Sequence, residues 1–258
     1  MSTMTTTHTP ALEGTRPSFA RLVRVELRKM VDTRAGLWIL ISIAIITAGA
    51  SALPLWILPA EGLTWSALID FASAGWALLL PFLGVLAATS EWSQRTGLST
   101  FTLEPRRTLV NIAKLVASLI LGLGMLVATF GAAAIANLVG IAAFDGGGSW
   151  SLSLGSALGY VGGMAIYVTM GVGLGLALLS TPLAIVTFII APVLLSVLVL
   201  VPALSDVIPW IDLSTASMPL LAGTLAGEEW ARLATATALW CGVPLALGLW
   251  RTARREVA

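Results

Sequence analysis

Six stretches of this chain are each long and apolar enough to cross a hydrocarbon core of about 30 Å, a distance that takes roughly 20 residues of helix. They run over about residues 36–58, 71–89, 115–144, 154–179, 183–201 and 233–250. In lipid every backbone polar group must be bonded within its own segment, so runs of this kind become helices and not open strands. Composition agrees: 57% of the 258 residues are hydrophobic and 10% charged, against roughly 25% charged in soluble domains. The expected fold class is an all-α membrane protein with six transmembrane helices.

The cations are sorted along this pattern. Six Lys or Arg precede the first span, four (Arg95, Arg106, Arg107 and Lys114) lie between the second and third, and three (Arg251, Arg254 and Arg255) follow the sixth. Of the 14 in the chain, only Arg232 falls on the opposite side. Lys and Arg mark cytoplasmic flanks, so both termini are predicted cytoplasmic, in a cell inner or plasma membrane. The net charge of +1 hides this sorting, and nothing in it supports nucleic-acid binding.

Residues 1–17 are rich in Thr and small polar residues and lack an apolar core, so they read as a disordered cytoplasmic tail and not as a signal peptide. Residues 18–258 read as a single transmembrane domain. It begins with an amphipathic helix over 18–34, with Ser18 as N-cap. Phe19, Val23, Leu27, Met30 and Val31 fall on one face, and Arg21, Arg24, Arg28 and Asp32 on the other. Glu26 interrupts the apolar face. Such a helix lies among membrane lipids with its cations toward anionic headgroups.

Span four carries Gly155, Gly159, Gly163, Gly171 and Gly175. Small residues at four-residue spacing let helix backbones approach closely. Successive steps rotate by about 40° on a straight helix, so they form two patches. These suit the protein's own helices or a second subunit. Between spans five and six, residues 202–230 mix Trp210, Ile211, Leu213, Met218, Leu220 and Leu221 with Asp206, Asp212, Glu228 and Glu229. Two short, partly inserted helices broken near Pro219 are expected here; a loop covering the bundle is the alternative.

The long polar interruption from Ser90 to Lys114 has its own order of residue types: Glu91 leaving the membrane, Arg95, Thr96 and Gly97 as basic and turn-forming residues, then Thr100 to Leu103, the breaker Pro105, and the pair Arg106 and Arg107. With the six-span topology, this resembles the loop between spans two and three of ABC-2 type transporter permeases. The resemblance implies a cytoplasmic coupling loop that docks on a separate ABC ATPase subunit through Glu91, Arg95, Thr96, Leu98, Phe101, Thr102, Arg106 and Arg107. It implies that the first helix is the connecting helix, presenting Arg21, Arg24, Arg28 and Lys29, and that the outer helices between spans five and six are re-entrant. It further implies two ATPase copies, a second permease subunit (homodimer or paralogue), and export of a hydrophobic or amphipathic substrate. On the residues alone, a solvated loop whose cations set topology remains the alternative.

No Gly-rich loop ends in Gly-Lys-Ser/Thr, since the lysines, Lys29 and Lys114, follow Arg28 and Ala113. The chain is therefore expected to be no enzyme and to hold no cofactor or metal of its own, with ATP and Mg bound by the partner. The lone Cys241 reads as a small buried hydrophobe. An ion-coupled carrier usually places an ionisable residue deep in its bundle. None is expected here, with Asp70 and Lys114 at span ends within reach of water. An ion-coupled carrier and a non-transporting scaffold stand as the alternatives.

Overall fold

Helix is the regular structure throughout the described residues, 17–93 and 104–254 of this computed structural model. The tail to residue 16 and residues 94–103 of the predicted coupling loop lie outside them. The first helix, α1 (Phe19–Asp32), starts at Ser18, whose hydroxyl accepts from Arg21 N at 3.4 Å. One residue then ends α1 and begins α2 (Arg34–Ala52): the Thr33 N–H donates to Lys29 O, and its hydroxyl accepts from Gly36 N at 3.2 Å. The turn between them needs glycine at 36, because a side chain there would strike the Met30 carbonyl.

A short α3 (Pro54–Ile57) continues α2, and then come α4 (Trp65–Ser93), α5 (Arg107–Ala143), α6 (Leu154–Leu178) and α7 (Thr181–Leu198). Two short helices, α8 (Ile208–Ile211) and α9 (Leu213–Ala222), precede α10 (Glu228–Thr237) and α11 (Val243–Arg254). A π-helical turn at Ala238–Gly242 joins the last two. It lies just before Pro244, which has no N–H to donate and whose ring displaces the preceding turn. Six helical units, Arg34–Ile57, Trp65–Ser93, Arg107–Ala143, Leu154–Leu178, Thr181–Leu198 and Glu228–Arg254, are long and apolar enough to span a membrane. The chain is a multi-pass, all-helical membrane protein.

Two boundaries differ from the sequence reading. The second spanning helix is longer at both ends than residues 71–89, and the third starts at Arg107 and not near 115. Hydropathy marks where side chains leave lipid, whereas backbone hydrogen bonds continue until a residue stops them. On the α5 side that residue is Pro105, which is poorly placed to extend a helix. Glu91 and Lys114 therefore sit inside helices and not on a loop.

The helices α4 and α6 form the centre of the bundle. One core joins α2, α4, α5 and α6 through Ile43, Leu68, Trp76, Leu126, Tyr160 and Met164; a second joins α4, α6, α7, α9 and α10 through Val85, Met170, Phe188, Leu213 and Leu233. The glycines of α6 form two patches, and both meet this chain's own residues. Gly155 and Gly159 lie against backbone at Leu220–Gly223, and Gly163 against the Leu221 and Trp76 side chains. Gly171 and Gly175 lie against Pro81, Val85 and Ala88 of α4.

The outer segment differs from the expected break near Pro219. The helix α9 runs through Pro219 and stops at Gly223, which takes the left-handed conformation (φ 70°). A proline late in a short helix costs a single backbone bond, whereas glycine enters the left-handed cap without a steric penalty. By contrast with the core, α7 buries only Ala184 and Phe188. Much of its remaining apolar surface, including Leu183, Val186, Ile189, Val193, Leu194 and Val197, is exposed, as it is on a helix set in lipid.

Close packing at Gly171 gives a paired test. A methyl added there would collide with the Pro81 carbonyl, so Gly171→Ala should destabilise by about 1–3 kcal/mol. Gly124 has open space around it, so Gly124→Ala should match or slightly exceed wild type. Melting temperatures in one detergent check both.

Candidate functional site

The helix α1 turns one face to the bundle and the other outward. Val23, Glu26 and Met30 are buried, while Arg21, Arg24 and Arg28 are exposed. Glu26 shares the buried face because it is three residues from Val23 and four from Met30. A carboxylate in that position needs a positive partner, and it has two. Lys114 of α5 donates from Nζ to Glu26 Oε2 at 3.0 Å, and Lys29, one turn along α1, donates to Glu26 Oε1 at 2.7 Å. Glu91, close to the end of α4, completes the group. Its Oε1 accepts from Lys114 Nζ at 2.6 Å and from Lys29 Nζ at 3.3 Å.

Two carboxylates and two amines thus alternate, and their formal charges cancel. Lys114 is 0% exposed, Glu91 3% and Glu26 4%. Only Lys29, half-buried, reaches the surface. Val23, Met30, Ala87, Ala113 and Ala117 form a buried apolar cluster on the same three helices. Removing water from three of the four charges is costly, and the arrangement holds because each charge meets its opposite at hydrogen-bonding distance.

Burial by itself would lower the Lys29 pKa, but Glu26 and then Glu91 outweigh it and hold the amine above its ordinary 10.5. A folded pKa above the unfolded one means that the stabilising contribution of Lys29 is complete below about pH 10.5 and is lost only as pH rises through the raised value.

A second set of contacts ties the same end of the bundle together. Arg106 holds Glu104 with Nε and Nη2, each at 2.8 Å, and its Nη2 also donates to the Pro17 carbonyl at 3.4 Å, just ahead of α1. The Glu104 hydrogen bonds raise the Arg106 pKa further. Arg107 Nη1 donates to the Thr252 carbonyl at 3.3 Å, Asn111 Nδ2 to the Thr252 hydroxyl at 2.8 Å, and Arg251 Nη1 to the Ala177 carbonyl at 2.6 Å. Thr89 and Thr181 share a hydroxyl hydrogen bond at 2.6 Å between α4 and α7.

Of the residues expected to form an ATPase-docking surface, Arg95, Thr96, Leu98, Phe101 and Thr102 lie outside the described residues. Glu91 is buried in the charge cluster, Arg106 joins Glu104 and the start of α1, and Arg107 reaches α11. The expectation that Lys114 reaches water is corrected. It lies well inside α5, and α1 covers it, with Glu26 supplying the counter-charge on the covering face. The expectation of no deep ionisable residue is corrected with it, and a second time by Asp212, which is 6% exposed. Glu26 stood in the sequence as a flaw in an apolar stripe. That flaw was the available signal: a lone acid on a buried face demands a buried base. Set against known proteins, the chain matches no protein-family model and no curated protein.

Replacing Lys114 leaves two buried carboxylates sharing Lys29 alone. Lys114→Met should destabilise the protein by about 3–5 kcal/mol, read as a lowered melting temperature. Arg28→Ala, which removes only the exposed pair with Asp32, should leave the melting temperature unchanged within error.

Proposed function

We propose that this chain is the membrane-spanning permease subunit of an ABC-2 type ABC transporter, exporting a hydrophobic or amphipathic substrate at the expense of ATP hydrolysed by a separate subunit. One observation carries the reading: Glu26 and Lys29 of α1 meet Glu91 and Lys114 on the two helices that flank residues 94–103. A force applied to α1 or to that loop would thereby reach α4 and α5 together. The Arg106 contact with Pro17 O adds a second tie between the loop's exit and the start of α1.

On this reading two ATPase copies bind ATP and Mg and dock at the cytoplasmic end, where both termini lie. A second permease subunit, identical or related, completes the pathway. The outer pair α8 and α9 re-enters the membrane from the far side and closes the pathway there. A second reading, an ion-coupled carrier, is favoured by one observation, the deep carboxylate of Asp212.

The test is co-purification with an ABC ATPase from the same organism. In a docked surface, apolar residues at the centre dominate, and truncating one typically costs about 2 kcal/mol or more. Phe101→Ala should therefore lose ATPase binding and substrate-stimulated ATP hydrolysis, while exposed Arg24→Ala loses little. Transport that continues after ATP depletion, with no ATPase recovered, would refute the permease reading in favour of the ion-coupled one.

A further inference from the structure

The helix α2 begins against the last turn of α1, so closely that a side chain at Gly36 would meet the Met30 carbonyl and the Thr33 hydroxyl. The corner they make is exposed at Val31, Asp32, Arg34, Leu37 and Trp38. From there an exposed stripe runs along α2. At 100° per residue Arg34, Trp38, Ile41 and Ile45 fall within about 60° of arc, and all four are exposed. Arg34 to Ile45 covers about 16 Å of helix, close to the roughly 15 Å of hydrocarbon in one leaflet. Polarity thus changes along a single stripe, from a guanidinium through an indole to branched alkyl chains. That is the order in which side chains meet the headgroups, the interface and the hydrocarbon of a bilayer.

The exposed charges leading into this corner are out of balance. Arg21, Arg24 and Arg28 share one face of α1, and with Arg34 they make four exposed cations against one exposed acid, Asp32. Arg28 pairs with that acid at 2.9 Å. Among the described residues, Arg21, Arg24 and Arg34 form no ion pair with Asp or Glu. An acidic protein surface would satisfy these arginines and leave Trp38, Ile41 and Ile45 uncovered. A zwitterionic lipid would cover the apolar residues but bring its own ammonium toward unpaired guanidinium groups. A phospholipid of net negative charge fits both halves of the stripe, and each nearby Arg strengthens its binding about fivefold.

We propose that the corner between α1 and α2 binds an anionic phospholipid, with its phosphate on Arg34 and an acyl chain along Trp38, Ile41 and Ile45. Binding there follows from the membrane-spanning fold and stands whether or not the chain works with an ATPase. On the permease reading, the bound lipid borders the connecting helix.

Native mass spectrometry reads the preference directly, on the full chain released from detergent micelles that hold equal amounts of dioleoylphosphatidylglycerol and dioleoylphosphatidylcholine. Wild type should retain phosphatidylglycerol roughly tenfold or more over phosphatidylcholine. Arg34→Gln should lower that preference about fivefold, while Arg34→Lys, which keeps the charge, should preserve it. Arg254→Gln removes a cation that already lies over the Trp250 ring at 4.9 Å and should change little. Equal retention of the two lipids by wild type, an undiminished preference in Arg34→Gln, or an equal loss in Arg254→Gln overturns the proposal. So does displacement of phosphatidylglycerol by millimolar inorganic phosphate, which would mark a site for a free anion. Loss of ATPase co-purification in Arg34→Gln with lipid retention intact would give the corner to a protein and overturn it as well. If Arg34→Gln does not fold, Trp38→Leu decides alone: phosphatidylglycerol retention should fall severalfold, and unchanged retention is equally contradictory.

Discussion

The end of the bundle that holds α1 depends on four paired charges, three of which have given up water. An isolated Lys114 at full burial could not persist as a charged group, and Glu26 and Glu91 would be in the same position without it. Each contact therefore requires the others. The consequence is geometric: α1 can dock only in the register that brings Glu26 over Lys114, and α4 and α5 can approach only as far as a Glu91–Lys114 bond of 2.6 Å permits. Apolar packing of Val23 and Met30 supplies area, but area alone would tolerate sliding. Charge pairing fixes one position, a role for buried ionic groups that is often specificity more than stability.

Away from that end, closeness of backbones replaces charge as the organising constraint. The helices α4 and α6 approach so nearly at Pro81 and Gly171 that no side chain fits between them, and α9 meets α6 in the same way at Gly155 and Gly159. These contacts make α4 and α6 a stiff centre. The helix α7 is attached to it through little more than Ala184, Phe188 and the Thr89–Thr181 bond. A helix with few buried contacts is the kind of element that opens at low cost, and α7 is such a neighbour of this centre.

Much of this fold was legible in the sequence because lipid imposes simple rules. Length and apolarity mark the six helices, Ser18 marks the start of α1, and a four-residue glycine step marks the close faces of α6. What escaped were features that depend on tertiary contact. Lys114 looked like a residue at a membrane boundary because hydropathy cannot register that another helix covers it. Asp212 stands in the sequence as one of the acids mixed among Trp210, Ile211 and Leu213 in the outer segment, and its burial follows only from α9 packing back against Tyr167 and Trp240. The end of α9 was misplaced for a more local reason: Pro219 was weighed above Gly223, although glycine is the residue that readily takes the left-handed cap. The candidate site was half visible, through Glu26 as an anomaly on the apolar face of the first helix.

The account's central claim is that the buried charge cluster fixes α1 to α4 and α5. Spin labels at the exposed positions Val25 and Ser93, in a Cys241→Ala background, report that distance directly by pulsed electron resonance in nanodiscs. The account predicts one narrow distance distribution, and a broad or split one when Lys114→Met is added. An equally narrow, unshifted distribution in the Lys114→Met protein would show that apolar packing alone sets the position of α1, and would contradict the claim.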